Sequence, residues 1–332
     1  EDLGASTDRN GTYADGIAYR VIAPADESST VTRFSGTVTL SNGIGVGDEV
    51  VLINLQGASG DTADVGNYEF KRVRAITSST ITFNSAITKS FDGTTASSQR
   101  VVVQRVPNYS TVTVSSGGTI TASAWEALAT APTGNAGYLT GMVLFRVNGA
   151  VNVQSGGSIT VAGLGLAGGA SVGLSDAIGF QGESRPGTGS QSASANDGGG
   201  GGGLAHNPGS CNPSPGNGGS YGTAGGAGRT LPSNECTGAV SAGSTYGAAS
   251  LPTIFFGSGG GSGGGKNSAN GSPGAGGKGG GIIFVGANSF TVTGTVSANG
   301  AVGLNGQSDG SGGAGGSGGS VFVTSLSITA GS

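Results

Sequence analysis

Glycine returns at every third position through much of the second half of this chain. Gly274, Gly277 and Gly280 keep that step, as do Gly310, Gly313, Gly316 and Gly319 and, upstream, Gly216, Gly219, Gly222, Gly225 and Gly228. Three residues per turn is the repeat of the polyproline-II conformation, which makes no hydrogen bonds of its own. Its N–H and C=O groups must be met by neighbouring segments or by water. A residue without Cβ at each third position removes the side chain that would hold two backbones apart. The bland alternative for such a composition is a flexible Gly/Ser linker. Order is the reading adopted, and it needs a cause, because fixing a residue costs roughly 1–2 kcal/mol of backbone entropy and most for glycine. Few large apolar side chains follow Gly156 to offset that cost. The expectation is a saturated lattice of backbone hydrogen bonds between packed segments, either polyglycine helices or extended strands, stitched together by short β-segments.

Only 17 of the 72 glycines precede Gly156, so the composition changes sharply near residue 155 of 332. Collagen is excluded, because there are only 10 prolines and no sustained G-X-Y register. A net charge of −4 with 14 Lys and Arg provides no basic face for nucleic acid or an anionic membrane. No apolar run approaches the ~18 residues of a membrane-spanning helix. The chain begins at Glu1 rather than Met, which is read as the mark of a removed leader and hence of secretion. Cys211 and Cys236 lie within the glycine-rich region and are expected to form a disulfide. The closed loop of about 26 residues would be worth roughly 3–4 kcal/mol in the chain-entropy model, which suits a secreted chain with a small apolar core.

Along the chain, residues 1–30 form a polar arm with one apolar run, Ile17, Ala18, Tyr19, Arg20, Val21 and Ile22, ended by Pro24. That run reads as a strand without an obvious local partner. From Val31 the pattern is β: TVTRFSGTVTL, EVVLINLQG, a hairpin of NYEFKRVRAIT and STITFNSAIT about Ser78-Ser79, and Val101–Val106. From Thr111 a motif repeats. Val112–Ala122 (VTVSSGGTITA) resembles Val151–Val161 (VNVQSGGSITV), with looser echoes at Phe290–Gly300 and Val321–Gly331. A recurring strand–turn–strand unit that cannot bury its own face is the signature of a solenoid rung. Ser123–Ala131 is the one helix candidate, with Ser123 as N-cap and Trp125 as a buried plug. The fold class expected is all-β: an arm over 1–30, a barrel- or sandwich-like domain over 31–110, and a glycine-rich β-solenoid-like domain over 111–332.

The succession GVGDEVVLINLQG, NYEFKRVRAI, VVVQRVPNYSTVTVSSGGTITASAW, VLFRVNGAVNVQSGGSITVAG, GFQGES and GGKGGGIIFVGANSFTVTGTVSANG resembles a group of secreted, glycine-rich bacterial surface proteins. The resemblance covers most of residues 43–332 and implies a β-solenoid-like body and an extracellular location, but no chemistry. The glycine tracts alone resemble those of phage tail-fibre adhesins that stack polyglycine helices in a sandwich.

Residues that carry chemistry are sparse. Gly260–Lys266 misses a phosphate-binding loop, because Asn267 stands where a Ser or Thr should hold Mg²⁺. His206 is the single histidine and reads as a loop residue, since a Cys/His zinc site needs three or four ligands. Asp61 and Asp64 share a loop where a structural calcium is conceivable but not expected, and no cofactor is expected. No carboxylate pair stands at a telling spacing for glycoside hydrolysis. Tyr221, Tyr246, Phe255 and Phe256 sit on or beside glycine tracts, either as caps on the lattice or as a platform for carbohydrate stacking. The function expected is that of a secreted structural protein, a subunit of a filament or surface layer that binds itself by strand addition through the arm. A surface or fibre-tip adhesin for glycans is the alternative, and a polysaccharide-cleaving enzyme ranks last.

Overall fold

A computed structural model describes residues 18–21, 24–25, 30–32, 44–77, 80–92, 99–126, 140–226, 236, 240–268, 271–307 and 309–331. Among them the chain is all-β, without a helix. Ser123–Glu126 of the expected helix are irregular, and its remainder falls outside the described residues. Trp125 is buried. The chain divides into two compact units that interleave along the sequence. A sheet unit comprises residues 1–161, 282–297 and 321–332, and a glycine unit comprises 162–281 and 298–320.

The sheet unit begins with eight strands: β1 (Ala18–Arg20), β2 (Pro24–Ala25), β3 (Thr30–Thr32), β4 (Glu49–Asn54), β5 (Tyr68–Ile76), β6 (Thr80–Phe83), β7 (Phe91–Asp92) and β8 (Val101–Arg105). Six of them form one antiparallel sheet in the order β1-β8-β4-β5-β6-β3, curled at a bulge between Val73 and Ala75. β4 is central and buried on both faces, which is why Val50-Val51-Leu52-Ile53 reads as a continuous apolar run rather than an alternation. Val50 and Leu52 face one way, onto Tyr19, Ile81, Phe83, Phe91 and Val103.

The repeated motif and the residues leading into it supply the remaining strands: β9 (Asn108–Tyr109), β10 (Val112–Val114), β11 (Thr119–Ile120), β12 (Met142–Val153), β13 (Ser158–Thr160), β14 (Ile282–Val292), β15 (Thr295–Ser297) and β16 (Ser320–Ala330). The pairings among β9 to β15 are parallel, and the sequence copies lie one on another. Val112 meets Val151 and Val151 meets Phe290, while Ile120 meets Ile159 and Ile159 meets Val296. Gly117 and Gly156, at φ of 80° and 78°, make the turn between the two strands of a copy. The fourth copy departs from the sequence alignment. Phe322 packs on Phe284 and the Gly331 N–H donates to the Val292 carbonyl, so β16 lies along the first strand of the third copy from its start.

The glycine unit is built on the segment Gly257–Gly265. Gly257, Gly260 and Gly263 donate to the carbonyls of Gly280, Gly277 and Gly274 at 2.9–3.0 Å. Gly259, Ser262 and Gly265 donate to Glu183, Phe180 and Ala177, and Gly261 and Gly264 to Asn217 and Ser214. The carbonyls accept in the same rhythm. Those of Ser258, Gly261 and Gly264 take the N–H groups of Ser317, Ala314 and Ser311; those of Gly259 and Ser262 take Gly200 and Gly203; those of Gly257 and Gly260 take Leu166 and Gly169. Each neighbour is therefore met at every third residue, not at every second as in a pleated ladder. Six segments surround the hub, and they also bond to one another. Glu183 donates to Ala167, Gly279 to Leu166, Gly277 to Ala314, Gly219 to Gly315, Asn217 to Gly201 and Gly182 to Gly200, which closes the ring.

Sterics explain the composition of these segments. A Cβ on Gly310, Gly313, Gly316 or Gly319 would collide with the carbonyl of Ser272, Ala275, Lys278 or Gly281, and one on Gly274, Gly277 or Gly280 with that of Leu304, Ala301 or Ala298. The glycines between behave otherwise: at Gly312, Gly315 and Gly318 the nearest atom would stand 3.7, 3.5 and 3.6 Å away, ordinary van der Waals contact. In the upstream series Gly216 and Gly219 are crowded, Gly222 is open, and Gly228 lies outside the described residues. The hub's two exceptions to glycine before Lys266, Ser258 and Ser262, are fully buried with their hydroxyls engaged by Tyr246 and Ser184 and by the Phe180 N–H.

Candidate functional site

In the glycine unit Tyr221, Tyr246 and Phe255 form one aromatic cluster. Tyr246 stands 5.2 Å, centroid to centroid, from each of the other two rings, which are 6.1 Å apart. The Arg185 guanidinium lies 4.8 Å from the centre of the Tyr246 ring and 5.8 Å from that of Phe255. Asp197 holds it with two bonds, from Nε at 2.7 Å and from Nη2 at 3.0 Å. Asp197 does so from a left-handed backbone, φ 51°, and a Cβ on the following Gly198 would strike the Tyr246 ring. The phenols point inward. Tyr246 Oη donates to the Phe256 carbonyl at 2.7 Å and meets Ser258 Oγ at 2.8 Å, while Tyr221 Oη meets Ser320 Oγ at 2.7 Å. Burial pushes the pKa of both phenols above the ordinary tyrosine value. Phe255 and Phe256 are buried, so the partly exposed rings are those of Tyr221 and Tyr246.

The other residues singled out in the sequence are placed as follows. Cys211 and Cys236 form the disulfide. The run proposed as a strand without a local partner has one inside its own chain. Ala18, Tyr19 and Arg20 pair with Gln104, Val103 and Val102, and the Val21 N–H donates to the Val101 carbonyl. Burial of Ala18, Tyr19 and Val21 on the sheet is the physical reason; Ile17 and Ile22 lie outside the described residues. Asp61 accepts from Gln99 Nε2 at 2.9 Å and Asp64 from Asn67 Nδ2 at 3.3 Å. Among the described residues no cluster of three or more His, Cys, Asp or Glu is disposed to hold a metal ion. His206 Nδ1 lies 2.9 Å from Asp176 Oδ1, which also accepts the Asn267 N–H; that N–H first and His206 second hold the Asp176 carboxyl below its ordinary range.

Sequence reasoning missed a polar groove in the sheet unit, about 550 Å³ in volume. It lies where neighbouring strands pass one another: Asn108 of β9 with Ser110 just after it, Arg146 and Asn148 of β12, Asn288 of β14 and Thr324 of β16. β12 has a bulge between Val147 and Ala150, which turns Asn148 out of the ladder. A Cβ on the adjacent Gly149 would collide with the Ser110 carbonyl. Arg146 is the fixed centre. Its Nε donates to Glu49 Oε1 at 2.7 Å, and its guanidinium lies 4.7 and 5.3 Å from the ring centres of Phe70 and Phe284. The register sets Gly286 directly beside Arg146, where a Cβ would come 2.9 Å from Nη1. Glu49 Oε2 accepts from Asn108 Nδ2 at 3.3 Å, and Asn288 Nδ2 donates to the Asn148 carbonyl at 2.5 Å. The stacking of the copies was visible in the sequence, but the bulge that opens the groove leaves no mark beyond Asn148-Gly149.

Among the described residues no helix is long and apolar enough to cross a membrane. No protein-family model and no curated protein matches this chain. Among solved structures, the tailspike protein gp49 from Pseudomonas phage LKA1 is similar at 19% identity and a TM-score of 0.20, over 43% of this chain and 20% of the phage protein.

Proposed function

We propose that this chain is an extracellular structural protein, a scaffold rather than an enzyme, whose copies join by strand addition. In this reading the glycine unit is a bundle of polyglycine segments of the polyproline-II type, and the parallel copies of the sheet unit are rungs of a short β-solenoid. Three-residue bonding periodicity supports the first assignment, and the in-register stacking of the sequence copies supports the second. The disulfide suits an oxidising, extracellular setting. The observation that carries the proposal is the state of β16. It ends the strand order β10-β12-β14-β16 and exposes Val321, Leu326 and Ile328 by 40%, 89% and 59%. A long, apolar edge strand is a template for another chain. A second copy of this protein is the partner proposed, because its repeats already add parallel strands to one another by the same rule. With β1 engaged on β8, the connector moves from the N-terminal arm to β16.

Sedimentation velocity and electron microscopy on the wild type and on the double variant Leu326→Lys/Ile328→Lys test this. The expected result is concentration-dependent oligomers or fibres for the wild type and a monomer with unchanged thermal unfolding for the variant. A wild type that stays monomeric at high concentration, or a variant that assembles equally well, overturns the proposal.

A further inference from the structure

We infer that the groove around Arg146 is a binding site for an uncharged saccharide chain. Three properties of the groove select that class. Its charge is closed internally, since Glu49 takes both the Arg146 Nε–H and the Asn108 amide, so no net charge remains to favour an anion. Its free groups match hydroxyls: among the described residues Arg146 Nη1 and Nη2 have no acceptor, and the Asn148 side-chain amide has no partner. A guanidinium fork, which donates, and carboxamides, which both donate and accept, are complementary to vicinal hydroxyls, which do both. Their geometry is set in advance, because Phe70, Phe284 and Glu49 fix the guanidinium and the backbones carrying Asn108, Asn148 and Asn288 belong to neighbouring parallel strands. Such pre-organisation reduces the ordering cost of binding.

Shape points the same way. The groove is open and runs across the strands from Asn108 to Thr324, so an extended chain fits where a compact ligand would stay largely in water. Polar side chains predominate, unlike the apolar lining usual for drug-like ligands. None of these residues belongs to the aromatic cluster of the glycine unit, and the site does not depend on assembly through β16.

The test is a panel of immobilised oligosaccharides of four to eight units, neutral and uronic-acid-bearing, probed with the full chain. Titration calorimetry with the best-bound oligosaccharide follows. Binding by neutral members is expected, with a loss of about tenfold in Asn148→Ala, whose side chain makes no hydrogen bond among the described residues, and of more in Arg146→Lys, which keeps the charge but loses the fork. Gly286→Ala should weaken binding by displacing the guanidinium, while Tyr221→Phe in the other unit should leave it unchanged. Absence of binding to every member at millimolar concentration overturns the inference. So does a preference confined to uronic-acid-bearing members, or binding that survives Asn148→Ala and Arg146→Lys intact.

Discussion

Around Leu52 this protein is held together by side chains; around Gly261 it is held by amides and carbonyls. Leu52 sits in a cluster with Val50, Phe83, Phe91 and Val103, where burial of apolar surface, at about 25 cal/mol per Å², favours folding. Gly261 has no side chain to bury. Its N–H meets Asn217 and its carbonyl meets Ala314, while a Cβ would collide with the Gly201 carbonyl. The apolar core tolerates changes of shape, because hydrophobic side chains of similar volume can repack. A lattice of main chains has no such latitude, since carbonyls cannot rotate away without breaking their own bonds. One unit is therefore specified by chemical character, the other by the absence of a single atom at particular positions.

That contrast predicts how each region fails. The largest effect is expected at Gly316, where alanine would press on the Lys278 carbonyl. Gly316→Ala should destabilise the glycine unit by about 4 kcal/mol or leave it unfolded, read by chemical denaturation and by amide exchange across 257–281. Replacing Cys211 and Cys236 by serine should cost about 3–4 kcal/mol, also in the glycine unit, by releasing a loop between residues 25 apart. Leu52→Ala should cost about 3 kcal/mol by leaving a cavity in the sheet unit, with amide protection across 257–281 lost last. Equal losses in both units would show that they unfold as one.

Alkaline pH supplies a smaller probe. Burial raises the pKa of Tyr246 and Tyr221 above the ordinary 10.0. A raised phenol pKa means that the folded state keeps its proton when the unfolded chain loses it. That stabilisation is complete below about pH 10 and disappears as pH rises toward the folded-state values. The free energy of unfolding should thus fall above about pH 10, by up to about 1.4 kcal/mol per pH unit for each phenol, and Tyr246→Phe should flatten the dependence. The smallest effect is expected at Gly315, one residue before the most damaging site. Gly315→Ala meets its nearest atom at 3.5 Å without a left-handed backbone and should change stability by less than about 0.5 kcal/mol. Comparable losses at Gly315 and Gly316 would defeat the idea that the three-residue step governs this unit.

Much of the architecture was legible because each of its two languages is periodic. The match of Val112–Ala122 to Val151–Val161 gave their strand register directly, because identical apolar positions can be buried together only when copies align. The glycine step likewise named the crowded positions from Gly310 to Gly319. It misled at Gly222, which stands open, since spacing alone cannot tell a packed face from an outward one. The run about Tyr19 looked unpaired because its partner, Val102–Gln104, lies more than eighty residues away. Arg146 drew no attention, being ordinary until the β12 bulge, Glu49 and two phenylalanines position it.

By itself, then, the sequence determined the local rules: which stretches alternate as strands, which copies correspond, where a side chain is missing at regular intervals, and that two cysteines are available to pair. These follow from backbone sterics and from the distribution of apolar side chains, both written residue by residue. Only the tertiary structure decided that two units interleave along the chain and that six segments close around Gly257–Gly265. It also decided that β16 ends its sheet on one side and that four neighbouring strands present one polar groove. Those outcomes depend on pairings between distant residues, whose energies arise only once the segments meet.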